Sequence, residues 1–120
     1  MSKDAPPAAG TYSQAVEAGG FVFLAGQTPR DTNNKRHGDL PFPDQARMAL
    51  DNLEAVAKAA GLSLRNAVKV NVYLKDPEDA KAFDEVYKNY VGTPPPARAL
   101  TISPFKDFAL EVDAILFRQE

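Results

Sequence analysis

The chain has 120 residues, enough for one domain with one core and too few for two. Apolar residues make up 44% and charged residues 25%, and the formal net charge of −2 leaves no basic surplus to neutralise a nucleic-acid backbone. The absence of cysteine excludes disulfides, thiol nucleophiles and thiolate metal sites. No apolar run approaches the ~20 residues of a membrane span, and the first residues lack the apolar stretch of a signal peptide, so the expectation is a cytoplasmic protein without a membrane partner.

Residues 1–10, with two prolines and a glycine, read as an extended arm. Tyr12–Glu17 and Phe21–Gln27 read as two strands of a hairpin turning at Gly19-Gly20. Both faces of the second run are apolar, which predicts cover on both sides. A polar loop over 28–43 follows. The spacing of Ala46, Ala49, Leu50, Leu53, Val56 and Ala57 predicts a helix over Asp44–Ala60, with Gly61 as its stop.

Val68, Val70, Val72 and Leu74 alternate with polar or amphipathic residues, the pattern of a half-buried strand. Asp76-Pro77 predicts the start of a second helix running to about Val91, stopped by Gly92 and Pro94-Pro95-Pro96. Two strands are expected to close the chain, Ala99–Ser103 and Phe108–Phe117. The order β-β-α-β-α-β-β predicts a single α+β domain over residues 1–120, a mixed sheet with two helices on one face. The other face then needs burial, which self-association supplies.

Most catalytic chemistries lack their residues. The one histidine, His37, lies in the polar loop and cannot assemble a metal site or a nucleophilic triad alone. No glycine-rich phosphate-binding motif occurs, so dinucleotide and nucleoside-triphosphate sites lack support. Arg98 begins a strand after three prolines, and a guanidinium fixed in this way can grip a carboxylate with two parallel hydrogen bonds, or serve a structural ion pair. Glu111 lies between Leu110 and Val112. Desolvation there would raise its pKa and suit it to proton transfer, whereas simple strand alternation would leave it solvated. Asp113 shares its face. Tyr12 is either a pocket wall or packing.

Four segments in order resemble one family. Gly10-Thr11-Tyr12-Ser13-Gln14-Ala15 is similar to its GPYSQA motif, and Ala25-Gly26-Gln27-Thr28-Pro29 to its SGQ-x-P segment. Pro96-Ala97-Arg98 and Leu110-Glu111-Val112 are similar to its PAR and (I/V)E(I/M) elements. The chain thus resembles, over nearly its whole length, the RidA (YjgF) enamine/imine deaminases. The resemblance implies a chorismate-mutase-like fold and a homotrimer with sites between subunits. It also implies cofactor-free hydrolysis of reactive enamines or imines, such as 2-aminoacrylate, to 2-keto acids and ammonia. Residue by residue, it assigns Arg98 to the substrate carboxylate and Glu111 to positioning water. Tyr12 becomes a pocket residue, and the backbone of Gly26 and Leu100 supplies polar contacts.

Four positions depart from the pattern. Thr11 replaces a proline, Ala25 a common serine, Asp84 a common asparagine, and Leu100 a cysteine or threonine; these bear on substrate choice. Two other readings stand beside the deaminase. One is a non-catalytic module in which the same arginine holds a 2-keto acid. The other is an endoribonuclease, disfavoured by the acidic balance and the expected lack of a basic patch.

Overall fold

The computed structural model describes residues 1–119. Gly19 and Gly20 both adopt left-handed backbone, φ 59° and 84°, which two-residue hairpin turns require and which glycine adopts without steric penalty. They join β1 (Ala15–Ala18) to β2 (Phe21–Gln27). After α1 (Phe42–Ala59) comes β3 (Ala67–Leu74), then α2 (Ala80–Tyr87), β4 (Ala97–Ile102) and β5 (Leu110–Phe117). The sheet order is β1-β2-β5-β3-β4, antiparallel throughout except for the parallel β3–β4 edge. Both helices lie on one face, as the residue pattern predicts.

The core follows the period of two. Val22 and Leu24 from β2, Val70, Val72 and Leu74 from β3, and every second residue of β5 from Leu110 to Leu116 are buried under the helices. Leu50, Leu53 and Ala57 of α1 and Phe83 of α2 are wholly buried against them. The other sheet face is uncovered. Val16, Phe21, Phe23 and Phe117 are exposed there to between 37 and 56%.

Several boundaries differ from the expected ones. The N-terminal arm is not free: Gln14 donates from Nε2 to the Pro6 carbonyl at 2.9 Å and accepts from the Ser2 amide at 2.8 Å. Ala5 and Pro6 are buried beneath it. β1 starts at Ala15 instead of Tyr12, because its ladder begins at Ala15↔Leu24, where β2 breaks register. Helix α1 starts two residues early, at Phe42, with Pro43 in the first turn. The first-turn amides have no helical acceptor, so proline loses nothing there. Its end is closed by Leu62 N–H to the Ala57 carbonyl at 3.0 Å and a left-handed Gly61.

Asp76 caps as expected, accepting from the Glu78 amide at 2.9 Å, but Pro77–Asp79 forms a tighter 3₁₀ turn before α2. The α-helix stops at Tyr87, because its last turn tightens to Asn89 N–H on Val86 and Tyr90 N–H on Tyr87. β4 starts earlier than expected, at Ala97, the first residue after the prolines with an amide to pair. β5 starts later, at Leu110. Phe108 turns aside instead, its ring 4.5 Å from that of Phe105.

The loop over 28–41 is tied to α1 by two buried polar side chains. Asn52 donates to the Thr28 and Arg30 carbonyls at 3.1 and 2.8 Å. Gln45 donates to the Gly38 and Leu40 carbonyls at 3.2 and 2.8 Å and accepts from the Ala109 amide at 2.9 Å. Asn52→Ala removes the side-chain donor from both loop carbonyls, leaving Thr28 only the Arg30 amide at 2.8 Å, and should cost about 1–3 kcal/mol in chemical denaturation. A stability equal to the parent's would show that the loop does not depend on this contact.

Candidate functional site

A two-for-one bulge in β2 builds the site. Leu24 pairs with Ala114 and Gln27 with Val112, so Ala25 and Gly26 together face the single Asp113 between them. The extra residue keeps Gln27 pointing under the helices, where it is buried, while bare Gly26 backbone passes over Glu111. A Cβ on Gly26 would lie 2.3 Å from Glu111 Oε2, so any side chain there displaces the carboxylate.

Glu111 is half-buried on the uncovered face of β5. It shares a cleft of about 480 Å³ with Tyr12, Ala25, Gly26, Arg30 and Arg36. Burial pushes its pKa up, the Asp113 charge adds to this, and Arg36 and Arg30 offset it only in part. The neighbouring carboxylate has another role. Asp113 accepts from Asn71 Nδ2 at 2.9 Å and from the Tyr73 hydroxyl at 3.1 Å, cross-strand bonds that fix it in place. Among the described residues, Glu111 accepts no side-chain hydrogen bond, which leaves its oxygens for a ligand or water.

Tyr12 borders the same cleft. Its hydroxyl accepts from the Ala9 amide at 3.2 Å; that bond and the nearby Arg30 guanidinium hold its pKa below the usual tyrosine range. Ala25 contributes only a methyl group, where a hydroxyl would have offered a further hydrogen bond.

Arg98 and Leu100 are elsewhere. They lie on the edge strand β4, in register with Val70 and Val72, so their side chains share the helix-covered face. Glu111 is on the opposite face. The Arg98 guanidinium stands 5.3 Å from the Tyr87 ring centroid and 5.9 Å from that of Phe83, and it pairs with Asp84 of α2. Asp84 is itself more than half exposed, so this carboxylate is free to leave the guanidinium. Leu100 packs its side chain against the core. Within one chain, therefore, Tyr12, Gly26 and Glu111 come together, and Arg98 and Leu100 do not join them.

The two arginines of the cleft are absent from the sequence motifs. Arg30 and Arg36 face each other in a small ladder closed by Asp31 N–H to the Lys35 carbonyl at 2.9 Å and His37 N–H to the Pro29 carbonyl at 2.8 Å. The signal was a proline at each end of the 28–43 loop and an Asp31 able to cap its tip; Asp31 Oδ1 accepts from the Asn33 and Lys35 amides. His37 bonds Asp31 at 2.9 Å, and no metal-holding cluster occurs among the described residues. The fold also gathers cations that are scattered in sequence: Lys35, Arg36, Lys75 and Lys106 border one depression beside Asp39 and Asp107.

Comparison with known proteins agrees with this architecture. Residues 2–117 match the family model described as Endoribonuclease L-PSP. A RutC family protein of Pyrococcus horikoshii is 43% identical, covering 99% of this chain and 96% of its own. TdcF of Escherichia coli, which carries the name of a reactive intermediate deaminase, is 36% identical over 95% and 92% of the two chains. The solved structure of E. coli TdcF with bound serine superposes with a TM-score of 0.89 at 34% identity, covering 99% of this chain and 97% of that one. The chain belongs to the RidA/YjgF family and has its fold.

The raised pKa of Glu111 has a consequence for stability. Between the ordinary carboxylate value and the raised one, the folded chain keeps a proton that the unfolded chain releases. Stability from this group therefore falls as pH rises through that window and stays lower above it. Glu111→Gln removes the titration, so the variant should gain on the parent from about pH 4 to neutrality. A parent that gains on the variant over this range in thermal unfolding would contradict the burial of that carboxylate.

Proposed function

We propose that this protein hydrolyses reactive enamines or imines derived from α-amino acids to 2-keto acids and ammonia, without a cofactor. One observation carries the reading: a half-buried carboxylate of raised pKa, without a side-chain donor, lies under bare glycine backbone in a ligand-sized cleft. The name of TdcF supports the same reaction class.

In this reading the ionised Glu111 accepts a proton from water while the water oxygen bonds to the electrophilic imine carbon. The proton passes to the nitrogen of the tetrahedral adduct, Glu111 then relays the adduct's hydroxyl proton to the same nitrogen, the C–N bond breaks, and ammonia leaves as the carbonyl forms. Nothing is oxidised or reduced. Ionisation of a carboxylate with a raised pKa gives the rising acid limb of the rate profile. The substrate carboxylate is held by Arg98. Because Arg98 and Glu111 occupy opposite faces of one chain's sheet, the complete site combines Glu111, Tyr12 and Gly26 of one copy with Arg98 of another. The uncovered apolar face supplies the surface on which copies assemble, and a homotrimer with three such sites is the proposed form. Asp84 occupies the guanidinium until a substrate carboxylate displaces it.

Imines generated in situ by an amino-acid oxidase test the reaction, with keto-acid release followed against spontaneous hydrolysis. Acceleration is expected, and Arg98→Ala should lower kcat/KM at least about 100-fold, the scale of a lost bidentate ionic contact. No acceleration with any imine would overturn the reading. Binding of a 2-keto acid without turnover would instead assign the cleft to a sensing role. A second reading, cleavage of single-stranded RNA, draws on the description of the matching family and on the four cations around one depression. Cleavage by nuclease-free protein that is lost in Lys75→Ala and Lys106→Ala would favour it.

A further inference from the structure

Arg30 and Arg36 are unexplained by that chemistry. A directly opposed pair of like charges is unfavourable in a ladder. Arg30 is also 92% buried, since only 8% of its surface is exposed, and its Nε has no hydrogen-bond partner. Among the described residues neither guanidinium forms an ion pair. Both line the Glu111 cleft.

Each is nevertheless held in place. Asn52 fixes the backbone of Arg30 through its carbonyl at 2.8 Å. The guanidinium of Arg36 lies 4.6 Å from the Phe108 ring centroid, a cation–π contact. Two fixed cations against one carboxylate leave the cleft with a positive excess. A compact anion placed between the two guanidinium groups would relieve their repulsion, at little ordering cost.

We propose that Arg30 and Arg36 form a second anion subsite beside Glu111, selecting imines of acidic α-amino acids, whose side chain ends in a second carboxylate. The proposal rests on the deaminase reading of the same cleft and narrows its substrate class. The α-carboxylate goes to Arg98 of a neighbouring copy, the imine carbon to the water at Glu111, and the distal carboxylate to the arginine pair. The hydrolysis is unchanged: water adds to the imine carbon, ammonia departs, and the product is a 2-keto dicarboxylate. A monocarboxylic imine leaves the pair unneutralised.

Binding measured by titration calorimetry at fixed salt tests this without requiring turnover. The probes are 2-oxoglutarate, a dicarboxylate, and 2-oxobutyrate, a monocarboxylate. Wild-type protein should bind the dicarboxylate at least about tenfold more tightly, the value of one charge-assisted contact. Arg30→Gln and Arg36→Gln should each bring that ratio towards one. Arg36 is on the exposed loop, so Arg36→Gln remains informative if Arg30→Gln disturbs folding. A ratio near one in the wild type, or a preference that survives Arg36→Gln, overturns the proposal. Absence of deamination would overturn the proposed reaction alone, since the affinity ratio is read independently of it.

Discussion

Strand alternation on β5 is the constraint on which the site depends. Leu110, Val112, Ala114 and Leu116 are buried beneath the helices, and the period of two then commits Glu111 and Asp113 to the uncovered face. A register slip of one residue would bury two carboxylates in the core. The same rule acts on the edge strand with the opposite result: Arg98 is in register with buried Val70 and so points to the helix side. Core packing thus separates the two groups that the proposed chemistry needs together, and a second copy is the simplest way to reunite them.

The β2 bulge adapts this frame to chemistry. It lets Leu24 and Gln27 both point inward although an even ladder would send them to opposite faces, and it places glycine backbone over the carboxylate. Burial of Glu111 pushes its pKa up and lowers the stability of the fold at neutral pH. Asp113 is instead held by its bonds to Asn71 and Tyr73.

Much of this was legible in the sequence because it is local. Gly19-Gly20 marked the hairpin, the apolar stripe marked α1, and alternation marked β3 and β5. The motifs around Tyr12, Gly26 and Glu111 sit together in one cleft. What was illegible depends on contacts between distant segments. Gln45 and Asn52 read as ordinary polar residues beside the stripe, and only the folded loop gives them carbonyls to bind. Phe108 fits the strand's alternation but lies outside β5, against Phe105 and Arg36. The motif singled out Glu111, but its physical difference from Asp113 lies in Asn71 and Tyr73, about 40 residues earlier, which bond the latter. Arg30 and Arg36 fall in a stretch of mixed charge whose short ladder is set by its turn and by α1.

Subunit mixing tests the shared site most directly. Arg98→Ala and Glu111→Gln chains are purified separately, dissociated and reassembled together, and keto-acid release from an amino-acid-derived imine is measured. Random mixing should restore about a quarter of wild-type activity, since half the contributing chains carry each intact residue and both must meet in one site. Mixtures that form and stay as inactive as either parent would contradict a site built from two copies.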